Sequence, residues 1–278
     1  MRQRLRRCRV PEALIHLLII AGAASALMVA LWLVQRARRD ASLVDAGWAF
    51  GIGAGAVLLL ALGGGDPTRR VVAGALIAVW SLRLTVHLVR DRVIGKPEDG
   101  RYQELRRRWG ARANVWFFVF FQFQALLVVV FTTPFLVIAT DTAAFGGSGD
   151  WAGILIWVVA LGGEALADRE LAAWRRDPAN RGRTCRAGLW RYSRHPNYFG
   201  EWLHWFAYVA LAAASPWMGV TWLVPALLLF LLLKVTGIPP TEARALASRG
   251  DDYRAYQRTT SAFIPWFPKR DPTPTESP

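Results

Sequence analysis

Long apolar runs alternate with short polar segments along most of the chain. A helix needs roughly 20 apolar residues to cross a bilayer, and several runs approach that length. Seven are recognised, at residues 14–34, 43–63, 71–89, 115–139, 151–167, 202–213 and 217–233. The sixth is short unless its helix begins within the polar motif that precedes it. The pattern therefore predicts an all-α fold, a polytopic membrane bundle of about seven transmembrane helices.

The last part of the chain predicts short cytoplasmic helices rather than a soluble module. Helix-forming residues after Glu242 stop at Gly250, and Asp251 is placed to cap a second helix. Residues 262–267 are then mostly apolar and are expected to return to the membrane surface. We predict one integral membrane domain over residues 1–268. Residues 269–278 are polar and rich in Pro, Ser and Thr, which predicts a disordered tail.

The net charge of +14 lies mainly in the loops between apolar runs, so it indicates membrane topology and not nucleic-acid binding. With seven helices, 26 of the 34 basic residues fall on one face, in the segments 36–39, 90–112, 169–194 and from 234 onward. Positively charged loops stay in the cytoplasm. We therefore expect an integral protein of a bacterial inner membrane, with a cytoplasmic C-terminus and membrane lipids among its partners.

The arginines near the N-terminus conflict with this topology. Five arginines between residues 2 and 9 would lie outside if seven helices cross the membrane. Three explanations stay open. One apolar run does not cross the membrane, the later basic loops determine the orientation despite these arginines, or the true start of the protein lies further downstream. The second and third are favoured.

Charged residues inside apolar runs are expensive in hydrocarbon, so each is expected to be functional or paired. Asp45 begins the second run, and Arg83 and His87 share one face of the third because they are four residues apart. Asp168 follows the fifth run, where solvation at the interface is an alternative, and Arg175 comes about two turns later. A structural ion pair between Asp45 and Arg83 is an equally acceptable interpretation.

Small residues and cysteines add two further expectations. Gly47, Gly51 and Gly55 recur every four residues in the second run. Small residues at this spacing let a neighbouring helix approach closely. Cys8 and Cys185 both lie in basic segments, and neither a disulfide nor a metal site is expected.

The segment 192–201 (YSRHPNYFGE) concentrates titratable and hydrogen-bonding groups directly before an apolar run. Pro is favoured in the first turn of a helix, so Pro196 is expected to begin one. Asn197 and Glu201 then lie four residues apart on one face, where an amide and a carboxylate can contact the edge of a planar ligand. For His195, a solvated loop histidine is the alternative.

The loop before this segment is rich in arginine. Its arginines either bind ligand phosphates or hold the loop against anionic lipid headgroups, and charge alone does not separate the two. They are Arg175, Arg176, Arg181, Arg183 and Arg186.

Several stretches together resemble the steroid 5-alpha-reductase superfamily, and most closely its bacterial branch of uncharacterised membrane proteins. The longest is residues 188–202 (GLWRYSRHPNYFGEW). The others are 42–48 (SLVDAGW), 177–182 (DPANRG), 236–239 (TGIP), 252–258 (DYRAYQR) and 261–265 (SAFIP). The resemblance spans nearly the whole chain and is more specific for the family than for the reaction.

The resemblance implies seven helices around NADPH and reduction of an enone carbon–carbon double bond. It implies that Asn197 and Glu201 contact the nicotinamide, and that Asp168 and Arg175 hold the adenosine and phosphate parts. Further cofactor-binding positions are Arg194, His195, Tyr198 and Glu242.

The resemblance also bears on catalysis and substrate. Asp45 matches an acidic residue of the reductases in kind, whereas Trp80 stands where they have a tyrosine that polarises the substrate carbonyl. Arg83 and His87, one and two turns along, are expected to substitute as proton donor or charge stabiliser. The expected substrate is a hydrophobic steroid-, isoprenoid- or lipid-like enone taken from the bilayer, which would make the protein an oxidoreductase of CH–CH groups in lipid metabolism.

A second chemistry shares part of the motif. Membrane methyltransferases for isoprenylcysteine and phospholipids use R-H-P-x-Y-x-G followed by a pair of glutamates to bind S-adenosylmethionine, and this chain has Glu242 alone at that place. Methyl transfer is therefore the alternative function. A third hypothesis is a membrane protein without catalytic activity that uses these loops for lipid contact.

Overall fold

The computed structural model describes residues 2–270, with side chains from Glu12 onward. Helices make up most of this range, and three short 3-10 turns interrupt the loops. The predicted all-α fold is confirmed. The helices are α1 (Arg2–Arg38), α2 (Leu43–Leu62), α3 (Pro67–Arg92), α4 (Gly100–Trp109), α5 (Ala113–Thr140), α6 (Ser148–Arg176), α7 (Pro196–Leu211), α8 (Met218–Thr221), α9 (Leu223–Phe230) and α10 (Ile238–Thr259).

Six helical stretches of the described residues are long and apolar enough to cross a membrane, and they correspond to every predicted run except the sixth. The sixth run lies in α7, which begins at Pro196, inside the polar motif, as expected. Its 16 residues extend about 24 Å, somewhat less than the roughly 30 Å of a bilayer core. The described residues therefore contain six helical stretches of membrane-spanning length and, in α7, one shorter apolar helix.

The chain divides into two compact units, where the sequence predicts one domain. The first contains residues up to Gly147 together with Leu211–Thr221. Its centre is α2, which packs against α1, α3 and α5. The expected role of the small residues is confirmed, because a Cβ at Gly55 would lie 3.1 Å from the Thr132 side chain of α5. Close approach of these helices needs glycine there.

The second unit contains Ser148–Ala210 and the chain from Trp222 onward. In it the segment that leads into α7 lies beside the segment that follows α10. A parallel bridge joins Ser193 to Ser261, and the Arg194 amide donates to the Ser261 carbonyl at 2.8 Å. The start of α7 and the end of α10 therefore lie at the same level of this unit.

Gly250 interrupts α10, as the sequence predicts. Its φ of 53° and ψ of −124° are not helical, and the helix is two segments joined at this kink. A left-handed φ favours glycine because it has no Cβ. Before α10, residues 231–235 form one π-helical turn that follows α9.

Helices α6 and α7 approach closely at Gly200. A Cβ there would lie 2.8 Å from the Ala160 carbonyl oxygen and 2.9 Å from the Glu164 Cβ, closer than real side chains pack. This contact fixes α7, and the polar residues at its start, against α6. Cys185, in the loop between the two helices, is a buried free thiol whose pKa burial raises.

We expect Gly200→Ala to lower the free energy of unfolding by about 1–3 kcal/mol, because the added methyl group meets backbone of α6. Gly162→Ala is the matched control, since a Cβ at this helical glycine meets nothing within 4 Å. It should be neutral or stabilising by about 0.5–1 kcal/mol, because alanine favours a helix. Unfolding in detergent measures both. An equal response of the two variants would contradict close packing at Gly200.

Candidate functional site

The loop before α7 is held by its own polar side chains. The Ser193 hydroxyl donates to the Phe263 carbonyl at 2.7 Å and accepts from the His195 amide at 3.1 Å. The Tyr256 hydroxyl contacts the carbonyls of Trp190 and Ser193. These bonds place the polar motif on a fixed backbone, which is what a binding site needs.

Arg194 closes the C-terminal segments onto this loop. Its Nε donates to Glu242 Oε1 at 2.7 Å, and one Nη donates to the carbonyls of Gln257 and Thr260 at 3.1 and 2.6 Å. The other Glu242 oxygen accepts from Gln257 Nε2 at 2.8 Å. Arg194 and Glu242, both predicted to bind cofactor, are thus used largely for each other. We call Arg194, together with its partners Glu242, Gln257 and Thr260, the Arg194 clasp.

His195 is buried, so the alternative of a solvated loop histidine is wrong. Its Nδ1 lies 2.9 Å from the Ala262 carbonyl, which can only accept, so Nδ1 carries the proton. Burial lowers the pKa of His195, and the hydrogen bond to Ala262 and the charge of Glu242 oppose this only in part. The neutral ring stacks on Tyr198, with centroids 5.3 Å apart.

Two of the predicted cofactor residues meet directly. The Asn197 amide donates to Asp168 Oδ1 at 3.1 Å, which ties the first turn of α7 to α6. The Asn197 side-chain Oδ1 accepts from the Tyr198 backbone amide at 3.0 Å. Glu201 is half-buried one turn further along the same helix. The amide of Asn197 therefore has the Asp168 carboxylate of α6 as its partner and the Glu201 carboxylate one turn further along α7.

Two buried polar side chains further along α7 were not predicted as site residues from the sequence. His204 and Tyr208 are fully buried and follow Glu201 by three and seven residues, the spacing of one helix face. His204 Nδ1 lies 2.6 Å from the Glu201 carbonyl oxygen and 4.0 Å from its carboxylate. The spacing was visible in the sequence, but the aromatic neighbours made the stretch look like an ordinary apolar span.

The loop arginines differ in how they are used. Arg186 pairs with the Asp252 carboxylate at 2.8 Å and also donates to the Asp252 backbone carbonyl. Four other arginines are exposed around the turn that Asp177 caps. Among the residues that the structure describes, no carboxylate lies within ion-pair distance of these four. These four are Arg175, Arg176, Arg181 and Arg183.

Asp45 belongs to the first unit and is engaged in ion pairs there. Its Oδ2 accepts from Arg92 at 2.8 Å and from Arg101 at 2.6 Å, and its Oδ1 accepts from the Tyr102 hydroxyl at 2.6 Å. Asp45 is therefore held in structural ion pairs, and its partners here are Arg92 and Arg101 rather than the Arg83 suggested by the sequence. Both oxygens accept hydrogen bonds from these neighbours, so in this arrangement the Asp45 carboxylate acts as an acceptor.

The same cluster extends to Asp99, in the loop before α4. Burial alone would raise the pKa of Asp99, but hydrogen bonds and charge from Arg101, together with the charge of Arg92, outweigh it and lower the pKa to about 2. Of the other two residues predicted for catalysis, Arg83 is half-buried and His87 is exposed.

The fold and the site define a polytopic helical membrane protein with a polar motif at the start of a short helix. The chain belongs to the family described as "Protein of unknown function (DUF1295)", which matches residues 31–260. It is also similar to "Uncharacterized protein C594.04c" of Schizosaccharomyces pombe. The two are 25% identical over 268 aligned positions, which cover 84% of this chain and 75% of that protein. No solved structure matches the chain.

We expect Arg194→Gln to destabilise the protein by about 2–4 kcal/mol, because it leaves Glu242 charged and largely buried. The side chains of this pair are only 10% and 15% exposed. Arg254→Gln is the control, since its pair with Asp251 is exposed and should be worth less than about 1 kcal/mol. Chemical unfolding in detergent compares them. The clasp would be refuted if both substitutions had the same small effect.

Acid should destabilise the protein in part through His195. Because its pKa is lowered on folding, the unfolded chain binds the proton more readily, so stability falls as pH drops below about 6.5. We expect His195→Asn to be less stable at pH 7.5 but to lose less stability than wild type between pH 7.5 and 5. The melting temperature across this range measures it. An unchanged slope in His195→Asn would contradict the assignment.

Proposed function

We propose that the protein is a membrane-embedded NAD(P)H-dependent reductase of a hydrophobic enone. The observation that carries the proposal is the hydrogen bond between Asn197 and Asp168, with Glu201 one turn further along α7. The sequence resemblance to the steroid 5-alpha-reductase superfamily assigns these three residues to the cofactor. In support, all three belong to the second unit, with Asn197 and Asp168 in contact.

The chemistry of the donor set fits such a cofactor. A nicotinamide carboxamide both donates and accepts hydrogen bonds, and an amide next to carboxylates supplies both kinds of partner. The diphosphate needs cations with planar, bidentate donors, which arginine provides. The four exposed arginines at the end of α6 and in the loop after it, Arg175 among them, have no acidic partner in the described residues.

The proposed orientation places this site toward the cytoplasm, where the cofactor is found. The loop 177–195 and the segment after α10 lie side by side in the second unit. The sequence segments that contain them are among the most basic of the chain. Basic loops favour the cytoplasmic face. An orientation with both segments in the cytoplasm is therefore consistent with their positive charge and with their contacts to each other.

When bound, the cofactor supplies hydride to the acceptor double bond. The chain's own residues hold and orient it: Asn197 and Glu201 at the nicotinamide end, and Asp168 and Arg175 at the other. For the acceptor, we assign polarisation to Arg83 or His87. Asp45 is better suited to fixing the neighbouring arginines, because both its oxygens already accept hydrogen bonds.

Methyl transfer receives less support from the site. The residue on which it depends, Glu242, is bonded to Arg194, Gln257 and Tyr253. A cofactor would have to displace the Arg194 clasp in order to reach that carboxylate.

We expect purified protein to bind NADPH and to gain about 2.7 kcal/mol of stability at 100 times the dissociation constant. Asn197→Ala should weaken binding about tenfold, because one buried hydrogen bond contributes roughly 1–3 kcal/mol. The double variant Arg181→Ala/Arg183→Ala should weaken it and reduce its dependence on salt. Thermal shift and energy transfer from tryptophan to the nicotinamide measure binding.

The controls are Asn114→Ala, an exposed amide on α5, and Arg107→Ala/Arg108→Ala on α4. Both should bind NADPH as wild type does. A folded protein that binds neither NADPH nor NADH would contradict the proposal. Tight binding of S-adenosylhomocysteine that is lost in Glu242→Ala would decide for a methyltransferase instead.

A further inference from the structure

A short non-helical strap follows α10 and is held along the loop that leads into α7. We define the strap as residues 261–270. The Trp266 amide donates to the Tyr192 carbonyl at 2.9 Å, and the Lys269 amide donates to the Thr259 carbonyl at 2.8 Å. With the bridge from Ser193 to Ser261, these bonds fix the strap at both ends. It is a positioned segment, and its side chains have defined directions.

The strap buries one large apolar side chain and exposes three others. Phe263 is buried and packs against Phe199, with ring centroids 5.7 Å apart. In contrast, Ile264, Trp266 and Phe267 are 59%, 68% and 76% exposed. A rigid backbone therefore presents three adjacent apolar side chains outward, which a segment facing only water would not be expected to retain.

The position of the strap indicates that the membrane surface is the partner of these three exposed side chains. Its partners in the loop are residues 192–195, which end where α7 begins, and the apolar stretch of α7 starts only a few residues later. Because the polar loop gives way to the apolar helix here, we expect the edge of the hydrocarbon at this point and the strap at the level of the lipid headgroups. Tryptophan is enriched at that level because its ring is amphipathic.

Charge at the end of the strap points to the same partner. Lys269 and Arg270 follow the apolar side chains directly, and both are exposed. Arg191, also exposed, precedes Tyr192, whose ring contacts Phe267 with centroids 6.0 Å apart. Apolar side chains flanked by cations are the arrangement with which peripheral segments bind anionic membranes.

We propose that the strap is an interfacial membrane anchor. Ile264, Trp266 and Phe267 insert at the boundary between headgroups and acyl chains, and Lys269 and Arg270 bind anionic headgroups. The anchor holds the chain next to His195 in place from the membrane side, because the ring of His195 bonds the strap carbonyl of Ala262. The proposal does not depend on which cofactor the protein binds.

The test measures the depth of the strap in vesicles that contain the full chain. Phe267→Cys or Ile264→Cys, in a Cys8→Ser background with the buried Cys185 kept, is labelled with an environment-sensitive fluorophore. Lipids that carry a nitroxide in the headgroup or along the acyl chain act as quenchers. Asp251→Cys, whose native side chain is 94% exposed, is the reference in water.

We expect shallow nitroxides to quench positions 264 and 267 at least about twofold more than position 251, because quenching needs near contact with lipid. Anionic lipid should increase the quenching. Lys269→Gln/Arg270→Gln should remove that increase, while Arg254→Gln should keep it. Equal quenching at the strap and at position 251 would overturn the anchor. Protection of position 267 that requires a second copy or another protein would overturn the lipid assignment.

Discussion

The arrangement of the second unit depends on the position of one guanidinium group. Arg194 bonds a carboxylate from the first half of α10 and two carbonyls near the end of that helix. Its own backbone also pairs with the strap through Ser261. Without it, the C-terminal segments would lose their charged attachment to the start of α7. The motif that looks like a ligand-binding sequence therefore serves first to close the protein's own chain.

Some charged residues are paired within the protein and others are not, and this difference distinguishes a structural role from a proposed role in ligand binding. The carboxylates of Asp45 and Glu242 are satisfied by arginine and by neighbouring polar groups. The arginines of the turn after α6 are exposed and have no acidic partner in the part of the chain that the structure describes. Residues of the first kind stabilise a fold, whereas residues of the second kind attract an anion. The proposed reductase uses the second kind for binding.

The sequence predicted the helices well and the partners of its charged residues poorly. Apolar runs, the start of α7 at Pro196 and the break at Gly250 follow from local chemistry, and all three are confirmed. The partners of Asp45 come from residues 47 and 56 positions away, and no local pattern encodes such a contact. The contact of Asn197 with Asp168 is likewise long-range, and the cofactor roles that the resemblance implies for them stay a prediction. His204 was missed because a buried polar face looks apolar when aromatic residues surround it.

The kink at Gly250 makes the Arg194 clasp sensitive to helical phase. In a straight helix, Glu242 and Gln257 would be about 22 Å apart along the axis, yet their side chains are bonded at 2.8 Å. The chain must therefore fold back at Gly250, and the rotation of each half decides which side chains face the clasp. One residue inserted between Glu242 and Gly250 would turn Glu242 by about 100° and aim it away from Arg194. The length of this segment is consequently constrained as strictly as the identity of its charged residues.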